Sequence, residues 1–244
     1  MFLGILGGSA RPRKRPILPS FKSPHPQLHA SRSGALPARF RRARVLIVGC
    51  GDVGLRAAQR LPMAVRVLAL TSSPERCDGL RRRGITPLVG DLDRPATLRR
   101  LAGLAQRVLH LAPPPGEGWT DPRTRALAQA LRRRGRPQTL VYGSTSGVYG
   151  DCHGQIAIET RAINPDTPRA RRRLDAESAV RFLGRSAGVR GSILRIPGIY
   201  APDREGGTPR SRLEKSTPVL RPEDDVYTNH IHAEDLARAC IAAL

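Results

Sequence analysis

The segment that most constrains the fold lies near residue 50, where Val45-Leu46-Ile47-Val48 runs straight into Gly49-Cys50-Gly51-Asp52-Val53-Gly54 and then into Leu55-Arg56-Ala57-Ala58-Gln59-Arg60-Leu61. An apolar run of this length fits a buried strand, and the stretch after it has helical character. The glycines between them fall at the spacing G-x-G-x-x-G. A strand, tight turn and helix in that order make a dinucleotide-binding unit: Gly49 turns the chain out of the strand, Gly51 admits a pyrophosphate against backbone, and Gly54 lets the helix pack on the strand. Backbone N–H groups at the helix start, at Asp52 and Val53, then face the phosphates with the positive end of the helix dipole behind them.

From Arg44 onward strand and helix patterns alternate. Strands are expected at 65–70, 85–89, 107–111, 139–142 and 192–196, and helices at 74–83, 95–105, 122–134, 168–187 and 235–244, with glycine or proline at most boundaries. This alternation predicts an α/β fold, a Rossmann-like doubly wound parallel sheet whose ligands bind at the carboxyl ends of the strands. Residues 1–43 have no Asp or Glu, are rich in Arg, Pro and Ser, and are expected to be a disordered basic leader. Such a leader resembles an organellar transit peptide, but sequence upstream of a misassigned start is the favoured reading. Residues 44–244 form the dinucleotide-binding domain, with a small substrate lobe, possibly truncated, at about 197–244.

The formal charge of +22 over 244 residues suggests nucleic acid at first sight. Nearly all of it is arginine, spread along helical segments and not interleaved with aromatics as a single-strand binding surface requires, so no specific nucleic-acid partner is expected. Cys50, Cys77, Cys152 and Cys240 form no C-x-x-C pair, and neither they nor the histidines have metal-ligand spacing. Free thiols fit a reducing, cytoplasmic setting. No apolar run approaches the ~20 residues that cross a bilayer, so no membrane association is expected.

NAD-binding forms of this fold place a carboxylate at the end of the second strand to hold the ribose 2′-hydroxyl. Here that place reads Leu70-Thr71-Ser72-Ser73-Pro74, with Arg76 one turn on. Hydroxyls and a guanidinium suit a 2′-phosphate, so Thr71, Ser72 and Arg76 point to NADP, with NAD still possible. The plainer alternative is that Ser73 caps its helix and Arg76 is a solvated charge. Asp91 and Leu92, after the third strand, stand where an adenine is held, although turn chemistry explains Gly90-Asp91 nearly as well.

Six segments in one order resemble the extended short-chain dehydrogenase/reductase superfamily, in its atypical NAD(P)-dependent epimerase/dehydratase-like branch. They are 49–54, Gly90-Asp91, His110-Leu111-Ala112, 143–151, 194–202 and 229–237. The resemblance implies that Leu111 and Ala112 line the cofactor and that Thr145, with Ser146 beside it, bonds the reacting oxygen. The family also uses a Tyr as acid/base, with a Lys four residues later. No tyrosine in this chain has a lysine four residues on. Matching Glu177 to the family's glutamate puts Arg169 and Arg173 in the Tyr and Lys positions. Arginine stays charged, so Arg169 cannot cycle a proton as a phenol does; Arg173 can still hold a ribose or phosphate oxygen. A basic helix face is the competing account of both. Tyr149 or an ordered water is the expected replacement for the missing phenol. The family also continues past the helix at Asp235, whereas this chain ends at Leu244.

The expected function is therefore NAD(P)-dependent movement of a hydride at a carbonyl or alcohol carbon, on a small sugar-like molecule or aldehyde. The alternative is an NAD(P)-binding sensor or interaction module without turnover.

Overall fold

The computed structural model describes residues 42–204, 208–216, 218, 221, 223 and 227–244. All but two residues of the expected leader, and part of the segment between Tyr200 and Val226, lie outside them. Strand β1 (Arg44–Val48) leads into α1 (Asp52–Arg60), β2 (Arg66–Thr71), a 3-10 turn (Pro74–Arg76), α2 (Cys77–Arg82) and β3 (Thr86–Val89). A 3-10 segment (Pro95–Leu101), β4 (Arg107–His110), α3 (Pro122–Leu131), β5 (Thr139–Thr145) and a 3-10 turn (Ser146–Tyr149) follow. The chain then forms α4 (Pro168–Ala187), β6 (Arg190–Ile196), β7 (Gly198–Tyr200), α5 (Pro209–Glu214), β8 (His230–His232) and α6 (Ala233–Ala242).

The main sheet has six parallel strands in the order β3-β2-β1-β4-β5-β6. Strand β1 shows why its sequence is a continuous apolar run. Val45 and Ile47 enter one core with Val53 and Ala57 of α1, while Leu46 and Val48 enter the other with Leu98, Leu127 and Val180. Helices cover both faces, so a two-residue period has no polar side to show. The strand order reverses between β1 and β4, paired Val48 to His110, which opens a crevice at their carboxyl ends. Helix α6 was expected within a substrate lobe. It packs on the main sheet instead, where Leu236, Ala237 and Cys240 join the core that contains α1.

Three of the elements that differ from expectation show the reason directly. Strand β5 runs on to Thr145 because Gly143, Ser144 and Thr145 pair with Leu194, Arg195 and Ile196 of β6. The segment expected as an α-helix at 95–105 is a 3-10 helix over Pro95–Leu101. There the Thr97 hydroxyl turns back to the Arg94 and Asp91 carbonyls, 2.7 and 3.1 Å away, and competes with regular helical bonding. Helix α6 begins two residues early, at Ala233, because His232 Nδ1 accepts the Glu234 N–H at 3.3 Å and caps it. Among the described residues no helix is long and apolar enough to cross a membrane.

Candidate active site

The glycine turn is built by close approach. Gly49 has φ +85°, and a Cβ placed there would lie 2.3 Å from the Ala112 backbone nitrogen. The Leu111 and Ala112 N–H groups both donate to the Val48 carbonyl, at 2.7 and 3.0 Å, and so pull the end of β4 against the turn. Gly51 begins α1 by accepting the Leu55 N–H at 2.9 Å. A Cβ added at Gly51 would meet nothing within 4 Å. That open backbone at a helix N-terminus is the cradle a dinucleotide diphosphate requires, and the residues present fit such a group.

A cavity of about 340 Å³ lies over this turn. It brings together Gly49, Gly51, Asp52, Val53, Gly54, Leu111, Thr145 and Arg173 of the residues expected from sequence. It also takes in Gly143, Ser144, Arg169, Ile196, Pro197, Gly198, Ile199, Arg204 and Leu236. The last group was not assigned from sequence, although Arg169 had been matched to the family's tyrosine. Thr71, Ser72, Arg76, Asp91, Leu92, Ala112, Ser146 and Tyr149 stand outside the lining.

At the end of β2 the buried Thr71 hydroxyl is engaged locally. It accepts the Ser73 N–H at 3.2 Å and donates to the Ser73 carbonyl at 3.3 Å. Ser73 precedes Pro74 as expected, but its side chain makes no capping bond. Arg76 is exposed, but it does not stand clear of the fold. Its guanidinium donates to the Cys50 carbonyl at 2.6 Å and so bridges from the start of α2 to the glycine turn. Ser72 is exposed beside it. Asp91 folds into its own turn, accepting the Asp93 N–H at 2.9 Å, and the half-buried Leu92 packs on the core.

The other end of the cavity is held by buried charge. Glu177 of α4 is fully buried; it accepts from Ser144 Oγ at 2.7 Å, from Arg195 at 3.2 and 3.0 Å, and from Arg181 at 2.9 Å. Burial pushes its carboxyl up, yet the bonds from Arg195, Ser144 and Arg181 outweigh that and hold it below the usual range. This hub fixes the end of β5. Next to it, Thr145 Oγ1 accepts the Gly147 N–H at 3.2 Å, which leaves the hydroxyl proton free to point at a ligand.

Tyr149 stands back from the cavity lining. It is 8% exposed, and the Arg195 guanidinium lies 4.8 Å from its ring centroid. Tyr142 is fully buried, and burial pushes its phenol up to about 12 against the pull of Arg173. Arg173 itself points inward. Its Nη1 donates to the Gly143 carbonyl at 2.6 Å and to Tyr142 Oη at 3.2 Å, while Nε is buried without a partner. The guanidinium thus braces β5 from behind while still lining the cavity. Arg169 lines it too, with no hydrogen bond or ion pair among the described residues.

An ion-pair network joins the glycine turn to the C-terminal elements. Arg56 pairs with Asp52, Asp203 and Glu234 at 2.8, 2.7 and 2.6 Å, and Arg204 pairs with Asp52 at 2.6 Å. Among the described residues no group of three or more His, Cys, Asp or Glu is arranged for a metal.

Comparison with known proteins agrees with this geometry. The chain is 28% identical over 180 residues to a D-erythronate dehydrogenase of Cupriavidus necator, covering 64% of this chain and 55% of that protein. The chain therefore spans about half the length of this curated relative. Among solved structures, the UDP-glucose 4-epimerase of Thermus thermophilus, a complex with NAD, superposes with TM-score 0.66 at 24% identity, over 82% of this chain and 74% of that one. The UDP-glucuronic acid 4-epimerase of Bacillus cereus, in complex with UDP-glucuronic acid and NAD, gives TM-score 0.66 at 20% identity, over 82% and 72%. Residues 45–244 match the model of the NAD dependent epimerase/dehydratase family, and with the glycine cradle and the parallel sheet in place the chain belongs to that family.

Proposed function

We propose that this chain is an oxidoreductase acting at a carbonyl or alcohol carbon of a small sugar-like molecule, with NADP(H) preferred over NAD(H). One observation carries the reading: the open glycine cradle and the Thr145 hydroxyl line the same cavity. A bound nicotinamide dinucleotide supplies the hydride chemistry, and the chain supplies position and polarisation. Gly51, Asp52 and Val53 present backbone N–H groups to the diphosphate. Leu111 and Ala112 close the turn from the side of β4. Thr145 donates its free proton to the reacting oxygen. Arg173 keeps positive charge behind β5, where the family places a lysine. The preference for NADP(H) rests on a β2 end that lacks a carboxylate and carries Ser72 beside Arg76, whose guanidinium is already drawn over the glycine turn. Buried free thiols at Cys50, Cys77 and Cys240 suit a cytoplasmic protein.

The test is fluorescence titration with NADPH and NADH, followed by an absorbance screen of aldehydes, aldoses and sugar acids, D-erythronate among them. NADPH is expected to bind more tightly, and Thr145→Ala to lower turnover about 100-fold, the worth of a side-chain donor at a developing oxyanion. Gly51→Asp is expected to abolish binding with the fold intact. If neither cofactor binds, the reading fails. A second reading, a sensor without turnover, is favoured by one observation: no phenol lines the cavity, and arginines stand where Tyr and Lys are expected. Full cofactor binding with no turnover across the screen selects it.

A further inference from the structure

Among the described residues that line the cavity, Arg169 is the one arginine that the fold does not employ. Arg173 is spent on the Gly143 carbonyl and Tyr142, and Arg204 on Asp52. Arg169, on the first turn of α4, is exposed and has no hydrogen bond or ion pair among the described residues. Its turn packs beside the Thr145 hydroxyl: a Cβ added at Gly147 would lie 3.5 Å from Thr145 Oγ1 and 4.0 Å from Ala170 Cβ. Among the described residues that line the cavity the one carboxylate is Asp52, which lies at the glycine end and is already paired with Arg56 and Arg204. At the Thr145 end the described lining therefore holds two arginines and no carboxylate, since Glu177 lies buried behind Ser144.

We propose that the ligand of this end is a small polyhydroxy carboxylate whose carboxylate pairs with the Arg169 guanidinium while a hydroxyl or carbonyl a few bonds away meets Thr145. The proposal rests on the oxidoreductase reading and names the substrate class of that site. A guanidinium presents planar, paired donors that match a carboxylate in bidentate fashion, and it holds its charge at any working pH. The residue that cannot act as an acid or base here is suited to recognise an acid. A neutral sugar leaves this cation unpaired when water is expelled, which costs affinity. A diphosphate is the rival anion, but a nucleotide sugar carries it on the anomeric side, remote from a reacting carbon further along the ring. A sugar acid places its charge within a few bonds of a neighbouring hydroxyl.

The test uses the full chain and three probes: D-gluconate, its neutral counterpart sorbitol, and inorganic pyrophosphate. Each is titrated calorimetrically into the free protein and into the protein saturated with NADPH. Gluconate is expected to bind at least about tenfold tighter than sorbitol to the wild type, the scale of a charge-assisted bidentate pair. Arg169→Gln should erase that difference while NADPH affinity stays within about twofold, and Arg169→Lys should restore part of it through the charge alone. A wild type that does not distinguish gluconate from sorbitol overturns the proposal, as does a folded Arg169→Gln that still does. Pyrophosphate binding through Arg169 more tightly than gluconate overturns the carboxylate assignment in favour of a diphosphate. Failure of NADPH to bind defeats the oxidoreductase reading instead, and the titrations of the free protein still decide the role of Arg169.

Discussion

The turns at 49–54 and 143–147 close the same cavity from β1 and β5, and they are held in opposite ways. At the first, backbone meets backbone: Gly49 is pressed on Ala112, and the Val48 carbonyl takes two N–H groups from the neighbouring strand. At the second, side chains from a distant helix do the holding, with Glu177 on Ser144 and Arg173 on the Gly143 carbonyl. A turn made by backbone packing tolerates almost no substitution and keeps one binding function. A turn braced by side chains keeps its shape while the residues that face the ligand change. That difference fits the proposed reading, in which the cofactor turn and Thr145 are kept while arginines stand in place of the proton-transfer pair.

The largest effect is expected where the backbone turn is broken. Gly49→Ala combines a left-handed φ with a Cβ only 2.3 Å from the Ala112 nitrogen, and should cost more than about 3 kcal/mol, with cofactor binding lost alongside. Urea denaturation reads the first effect and NADPH titration the second. A folded Gly49→Ala that still binds NADPH would show that the turn has slack, and the contrast between the two ends would fail.

At the side-chain end, Glu177→Ala leaves the buried Ser144 hydroxyl and the half-buried Arg195 guanidinium without their carboxylate. Loss of one partner from a buried charge cluster typically costs 3–5 kcal/mol, and the partial exposure of Arg181 and Arg195 puts the expectation near ~3 kcal/mol. Urea midpoints measure it. Turnover should fall too, because Thr145 follows Ser144, while NADPH affinity changes far less. Equal losses of affinity in Glu177→Ala and Gly49→Ala would mean that the two ends are one unit.

How far each end could be read from sequence follows from the same contrast. The apolar run of β1 and the glycine spacing are local and stand where the sequence places them, while α1 begins at Asp52, three residues before the helical stretch read from Leu55. Helix α4 was legible to both ends, since Thr167 caps it, Pro168 opens it and Gly188 closes it in the left-handed conformation. The last three residues of β5 were not legible, because Gly143 and Ser144 have weak strand preference and are kept extended by β6 and Glu177. The inward turn of Arg173, toward a carbonyl 30 positions earlier, leaves no local signal. Tyr149 sits in a family motif, and only Arg195, lying over its ring, shows that the motif holds structure at this point.

A smaller effect, spread over pH, concerns what lies between the two ends. His110 of β4 is fully buried, with Nε2 2.8 Å from Thr124 Oγ1, whose proton goes to Asp121 at 2.7 Å. Burial first, and the charge of Arg173 second, push its imidazole down to about 3 from an ordinary value near 6.5. The unfolded chain therefore binds the proton more readily than the folded one below pH 6.5. The neutral ring contributes full stability above that value and loses it progressively as pH falls toward 3. Between pH 7 and pH 4 the loss from this group is roughly 2–3 kcal/mol. Urea midpoints across that range, compared with those of His110→Gln, should show a shallower slope in the variant. Parallel slopes would mean that His110 is charged in the folded protein and that Arg173 does not face it.

The smallest expected effect tests cofactor choice at the rim of the backbone-built end. Thr71→Asp places a carboxylate where the Thr71 oxygen now accepts the Ser73 N–H, so the new side chain keeps that bond and one oxygen remains free at the end of β2. A free carboxylate there accepts from a ribose 2′-hydroxyl and repels a 2′-phosphate. It also offers Arg76 a partner other than the Cys50 carbonyl, which removes the cation proposed to face the phosphate. The combined change should move the ratio of NADPH to NADH affinity by about tenfold toward NADH, roughly 1.4 kcal/mol. Arg76→Ala should move the ratio the same way by a smaller factor, since it removes attraction without adding repulsion. A wild type that binds NADH more tightly than NADPH, or a Thr71→Asp that leaves the ratio where it was, would show that the β2 end does not select the cofactor and that Arg76 serves only to pin the glycine turn.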